Sequence, residues 1–282
     1  MTPRYCYWSV VDGDYSPMMA AVIHSAREVG VFRDFHVWSD QPVAGAIHHP
    51  AGRFDKWGCL FKLFFLRDAV SKLNYDYFIW LDSDMWFVRN PGDPLRLMRG
   101  SPLHIALEGD LTRPENLRQE WWECPNPLFV QLMHQRGVRS HRIFNVNGGL
   151  FIIHRDAIDT VYRLAFDFWQ FCKAQGFTFN DEPLLAYAMH MLCGNPYAHT
   201  LRESLDFWAS DWTGNFKDRI PTNEPWWFCD YFTNERISVN PAIVHAMRSK
   251  PALTDLGRSI TETPAREAKR MDSNHAYLLR HP

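Results

Sequence analysis

The stretch "YFIWLDSDMWF" (Tyr77–Phe87) runs apolar, sets two carboxylates two positions apart, and turns apolar again. "YFIWL" reads as a parallel strand covered on both faces, since such a strand shows no polar alternation. Asp82 and Asp84 then fall at its carboxyl end, where ligands collect in open α/β sheets. In extended geometry residues i and i+2 point to one side, so the two aspartates converge while Ser83 faces away. Converging carboxylates in an apolar setting are poor neighbours without a cation. A hard divalent ion, Mn²⁺ or Mg²⁺, would neutralise both and hold phosphate oxygens. Capping by surface aspartates is the plainer reading of an isolated Asp-x-Asp; the position directly after a buried strand favours the metal.

The flanking segments supply the sheet. "YCYWSVV" (5–11) and "DFHVWSD" (34–40) read as strands. "SPMMAAVIHSAREVG" reads as a helix with Ser16 as cap, Pro17 in the first turn and Gly30 as stop. "KWGCLFKLFFLRDAVSKL" (56–73) has helical apolar spacing. Strand, helix, strand, helix, strand implies right-handed crossovers and a parallel sheet. Further along, 102–110 and 142–157 read as strands, the second around a Gly pair. Residues 158–176 and "NDEPLLAYAMHML" read as helices, and "PAIVHAMRSKP" (241–251) as a short strand and loop. No linker is visible, so 1–251 is expected to be one α/β domain with lobes at about 1–100 and 101–251, followed by a solvated tail over 252–282.

Composition narrows the classes. The chain of 282 residues is 46% hydrophobic and 22% charged, ordinary for a globular protein. A net charge of −2 gives no basic field for nucleic acid, though the tail carries several Arg and Lys residues. Six scattered Cys without a CxxC pair fit a reducing, cytoplasmic setting. No apolar run has the length of a membrane span, and no signal peptide is seen. The 12 Trp residues fill cores more often than sites, but "EWWECPNP" and "NEPWWFCDYF" have the polar, Pro-rich flanks of loops that could stack on an acceptor.

The "LDSD" segment, followed by "WFVRNP", resembles the DxD region of GT-A glycosyltransferases. It is most similar to the glycogenin-like family, which includes bacterial lipopolysaccharide galactosyl- and glucosyltransferases. "SVVDGDYSPMMAAVIHSARE" resembles that family's first strand and loop, which would bring Asp12 and Tyr15 to the nucleotide. "FKLFFL" resembles the helix that carries a basic residue, here Lys62, towards the diphosphate. "FNVNGGLFII" matches the element beside the sugar through Asn147, Gly148 and Gly149, and "NDEPLL" matches its Asp-Gln element through Asp181 and Glu182. The family's His-x-x-Gly-x-x-Lys-Pro element corresponds to "HAMRSKP", one residue shorter and without the Gly. His245 would complete the metal site, and Lys250, or Arg248 in its place, would meet the phosphates.

The resemblance implies a GT-A fold, a Rossmann-like and mostly parallel sheet flanked by helices, with the nucleotide-sugar lobe first and the acceptor lobe second. It implies Mn²⁺ or Mg²⁺, a UDP-sugar donor and a carbohydrate or other hydroxyl acceptor, with transfer under retention. Asp181 would lie near the transferred sugar and Glu182 near the reacting face, although carboxylates that open a helix also favour its dipole. The residues leave open a modified nucleic-acid base as acceptor, a nucleotidyltransferase, and a non-catalytic carbohydrate-binding protein. A nucleotidyltransferase should show a basic Gly-rich loop after its first strand, and "VVDGDYSPMM" has no Arg or Lys.

Overall fold

A computed structural model describes residues 2–52, 60–193, 196–230 and 232–262. Along the chain it gives β1 (Tyr5–Val11), α1 (Tyr15–Glu28), β2 (Phe35–Ser39), β3 (Ile47–Pro50) and α2 (Phe61–Asp68). Then follow β4 (Tyr77–Leu81), β5 (Met85–Phe87), β6 (Leu103–Asp110), the two-residue strands β7 (Glu120–Trp121) and β8 (Cys124–Pro125), and α3 (Asn126–Gln135). The rest comprises β9 (Phe144–His154), α4 (Ile158–Ala174), α5 (Asp181–Leu192), β10 (Trp208–Ser210), β11 (Trp226–Cys229), β12 (Arg236–Val239), β13 (Ile243–His245) and α6 (250–262).

The central sheet has six strands in the order β3-β2-β1-β4-β9-β6. From β3 to β4 all pairings are parallel, whereas β9 runs antiparallel to both β4 and β6. The sheet is therefore mixed. Residues alternate between its faces, as strand geometry requires. Trp8, Val10, Phe78 and Trp80 join the core beneath α2, α4 and α5, while Tyr7, Val11, Ile79 and Leu81 join the core shared with α1, β5 and β13. The apolar run of β4 is thus needed because both of its faces are covered.

The second sheet has the order β10-β13-β5. β13 runs parallel to β10 and antiparallel to β5, with His245 opposite Met85. This small sheet places a strand from late in the chain directly beside the segment that follows β4.

Three expectations need correction. Ser16 does not cap α1: it is buried inside the first turn, and Asp14 holds the cap position. Gly30 does sit at the helix exit, with the positive φ of +81° that a glycine adopts without strain. The helix read over 56–73 is α2 followed by a 3-10 turn, Val70–Lys72, and positions 56–59 lie outside the described residues. The stretch assigned to the tail from 252 begins within α6, which buries Leu253 completely and meets α1 backbone to backbone. A Cβ on Gly257 would stand 1.8 Å from Pro17 O, so only glycine permits that approach. Residues 263–282 lie outside the described residues.

Among the described residues no helix is long and apolar enough to cross a membrane. The described cysteines, Cys6, Cys124, Cys172, Cys193 and Cys229, are free thiols.

Candidate metal and sugar site

Asp82 and Asp84 lie on a tight turn between β4 and β5 rather than on a continuing strand, and Met85 N–H closes it onto Asp82 O at 3.3 Å. Two backbone bonds fix the turn to different strands. Asp82 N–H donates to Gly149 O at 2.9 Å, and Ala246 N–H donates to Asp84 O at 2.7 Å. The carboxylates converge, as expected, but through this turn, and Ser83 between them is buried. Ligand atoms of Asp82, Asp84 and His245 all lie within 4.8 Å of one another.

Asp84 is 4% exposed and is held from two sides. His245 Nε2 is 3.1 Å from Oδ1, and Lys250 Nζ is 3.1 Å from Oδ2. Burial alone would raise the Asp84 pKa, but His245 and Lys250 outweigh it and hold the carboxyl well below the usual range. For His245 burial would lower the pKa, and the adjacent Asp84 reverses that, so the net shift is upwards. Lys250 opens α6 and is half-exposed, so its charge faces both Asp84 and solvent. Arg248 lies on the loop before α6, where its carbonyl accepts from Asp218 N–H.

Lys62 is buried in the first turn of α2. Its ammonium lies 3.0 Å from Asp82 Oδ1, 2.7 Å from Asp181 Oδ2 and 3.4 Å from Gly148 O, and 4.7 Å above the Trp80 ring. Burial would lower its pKa, but Asp181 and Asp82 keep it charged and shift it upwards. Asp181 is pushed the other way by its own burial, more than Lys62 pulls it down. Trp80 Nε1 also donates to Asp82 Oδ1 at 2.7 Å. Lys62 thus bridges the Asp82 turn to the start of α5, with three protein oxygens around an ammonium that has three protons.

The Gly148–Gly149 pair lets this packing close. A Cβ on Gly148 would meet Glu182 Cγ at 2.9 Å and Asp181 Oδ2 at 3.1 Å; one on Gly149 would meet the His245 ring at 2.6 Å. The pair sits near register shifts between β6 and β9, as at a β-bulge. Gly148 N–H donates to Glu182 Oε1 at 2.8 Å, and Trp122 Nε1 donates to Oε2 at 2.9 Å. Burial first, then repulsion from Asp181 and Glu108, pushes Glu182 up to about 8.

Asn147 donates to Glu108 Oε1 at 2.6 Å and to Ser210 Oγ at 3.2 Å, and its Oδ1 accepts from Gly149 N–H. Ser210 Oγ lies 3.4 Å from His245 Nδ1, leaving Nε2 directed at Asp84. Asp12 follows β1, whose register with β4 (Trp8 opposite Trp80) brings both strand ends to one edge. Its carbonyl accepts from Tyr15 N–H, and Tyr15 is half-exposed and near enough to Lys250 to help raise that pKa.

Ten of the twelve expected residues therefore form one contact network, with Tyr15 beside it through Lys250 and Asp12 in the adjoining loop. Sequence reasoning missed Glu108 and Ser210, and read Trp122 as a stacking residue rather than as a donor to Glu182. Glu108 had a signal: it is an acid directly after the apolar run "IAL". Ser210 had none. Trp226, by contrast, is packed against Phe216 and Phe228 and cannot be a stacking platform, whereas Trp227 on the same hairpin is half-exposed beneath Arg236.

A cavity of about 520 Å³ opens beyond Asn147, Glu182 and His245 towards Gln119 and Trp121. Compared with known proteins, the chain matches no family model and no curated protein.

Proposed function

We propose that the chain is a metal-dependent glycosyltransferase of GT-A type, moving a sugar from a UDP-sugar to a hydroxyl group held in the cavity. One observation carries the reading: Asp82, Asp84 and His245 converge within 4.8 Å at the carboxyl edge of the parallel strands. Two carboxylates and an imidazole suit Mn²⁺ or Mg²⁺, and Asp84, buried and held ionised by His245 and Lys250, is already a site for positive charge. Asp82, Asp84 and His245 would hold the ion, which supplies charge neutralisation for the diphosphate leaving group.

The protein's own groups divide the remaining work. Lys250, half-exposed beside Asp84, is the cation available to phosphate oxygens. Lys62 is engaged by Asp82, Asp181 and Gly148, so its role is to fix those groups rather than to contact the diphosphate. The Gly pair keeps the backbone open to close approach by the sugar, with Asn147 braced by Glu108. Glu182, with a carboxyl near 8, can hold or release a proton near neutral pH at the edge of the cavity. Retention is the outcome that the resemblance implies. The free thiols agree with a reducing, cytoplasmic setting.

The test is a donor screen: purified protein, Mn²⁺ and each common nucleotide-sugar, with release of nucleotide measured. Release with one donor, abolished by chelation and restored by Mn²⁺, is expected. Turnover that survives thorough chelation would overturn the metal assignment, and sugar binding without any turnover would favour a binding protein.

A further inference from the structure

The cavity beside Glu182 has a one-sided charge pattern. Four carboxylate side chains line it, Glu108, Glu115, Glu120 and Glu182, and among the described residues no lysine or arginine does. Arg113 offsets Glu115 from outside the lining through an ion pair. Glu108 is pushed upwards by burial, and Glu182 by burial and by its acidic neighbours, so both tend to keep their protons and would ionise more readily beside a cationic guest. Carboxamides make up much of the remaining wall, and two of their oxygens, Asn126 Oδ1 and Asn145 Oδ1, are buried with no hydrogen-bond partner. Carboxylate and carboxamide oxygens accept hydrogen bonds, so the wall is matched by a guest rich in O–H and N–H donors. An anionic guest would meet carboxylates with no lysine or arginine beside them on this wall. Trp121 adds a flat apolar face of the kind on which a sugar ring packs.

Resting on the transferase reading, we propose that the acceptor is a sugar bearing an amino group, preferred over its neutral counterpart, and that sugars carrying phosphate or carboxylate are rejected. The same field excludes a nucleic-acid acceptor, whose backbone brings a phosphate at every nucleotide.

Ligand-observed NMR on the full chain tests this without donor or metal, using glucosamine, methyl glucoside, glucuronate and glucose 6-phosphate at low salt. The expected order of affinity is amine, then neutral, then anion, with at least a tenfold gap between the ends that shrinks as salt is added. Equal affinities, or tighter binding of either anion, overturn the proposal. The paired substitution Glu115→Gln and Glu120→Gln, with the fold checked by circular dichroism, should cut the gap severalfold; a gap that survives it overturns the assignment to this wall. Should the order hold while no nucleotide-sugar is turned over, the transferase reading fails and the cavity's preference stands.

Discussion

Gly149 and His245 stand so close that a Cβ on Gly149 would lie 2.6 Å from His245 Cε1 and 2.8 Å from Nδ1. The imidazole is buried between Ser210 and Asp84, so it can yield only by leaving one of them. Gly149→Ala should therefore displace His245, a candidate metal ligand from a distant part of the chain. We expect Mn²⁺ affinity to fall about tenfold or more, read by calorimetric titration. Unchanged affinity would show that His245 does not hold the ion.

Asp84→Asn removes the charge that binds both His245 and Lys250. Breaking a buried ion pair on one side costs about 3–5 kcal/mol where the partner stays buried, but Lys250 is half-exposed and can turn to water. The variant should keep its fold by circular dichroism and lose most Mn²⁺ and nucleotide-sugar binding. Retained binding with a large fall in Tm would mean that Asp84 serves the fold alone.

A pH effect is expected far from this site. His104 on β6 and His199 stack at 5.0 Å, both fully buried, near Arg99. Burial first, then neighbouring positive charge, lowers His104 to about 3 and His199 to about 4 from the ordinary 6.5. Below 6.5 the unfolded chain takes up protons that the folded chain refuses. Stability is thus present above pH 6.5 and lost as pH falls towards 4 and then 3, by about 1.4 kcal/mol per pH unit for each histidine. Tm followed from pH 7 to 4.5 should show the loss, and His104→Leu should shallow the slope; an identical slope in the variant refutes the account.

The two tryptophans of β11 should behave oppositely. Trp226 is 5% exposed, and its truncation to alanine should cost about 3–5 kcal/mol, as for other large core side chains. Trp227→Ala should leave stability within about 0.5 kcal/mol. Urea denaturation measures both, and equal costs would contradict the packing described.

The strands and helices around Asp82 and Asp84 were legible because burial leaves its mark on residue type: the apolar run of β4 follows from cover on both faces. The reversal of β9 was not legible, since a buried strand carries the same residues in either direction. Lys62 was found as a basic residue early in a helix, but its partners were not, because three acceptors from three other segments meet it only in the folded chain. The cap at Ser16 failed for a tertiary reason: α6 packs on that turn, with Arg258 reaching Asp14, and the helix begins earlier than its local signal. Ser210 was invisible, being one serine among many until β10 aligns with β13.

The insertion of β13 between β10 and β5 also sets an order of events during synthesis. Asp82 and Asp84 leave the ribosome long before His245 and Lys250, and domains fold from the N-terminal side as they emerge. Until the late strand docks, β5 lacks its neighbour and Asp84 lacks both His245 and Lys250. A nascent or clipped chain ending before residue 243 should then bind Mn²⁺ about tenfold or more less tightly, and should expose an edge prone to pairing with other strands. The same strand that brings His245 to Asp84 covers that edge, so assembly of the candidate site and protection from aggregation should be gained in one step.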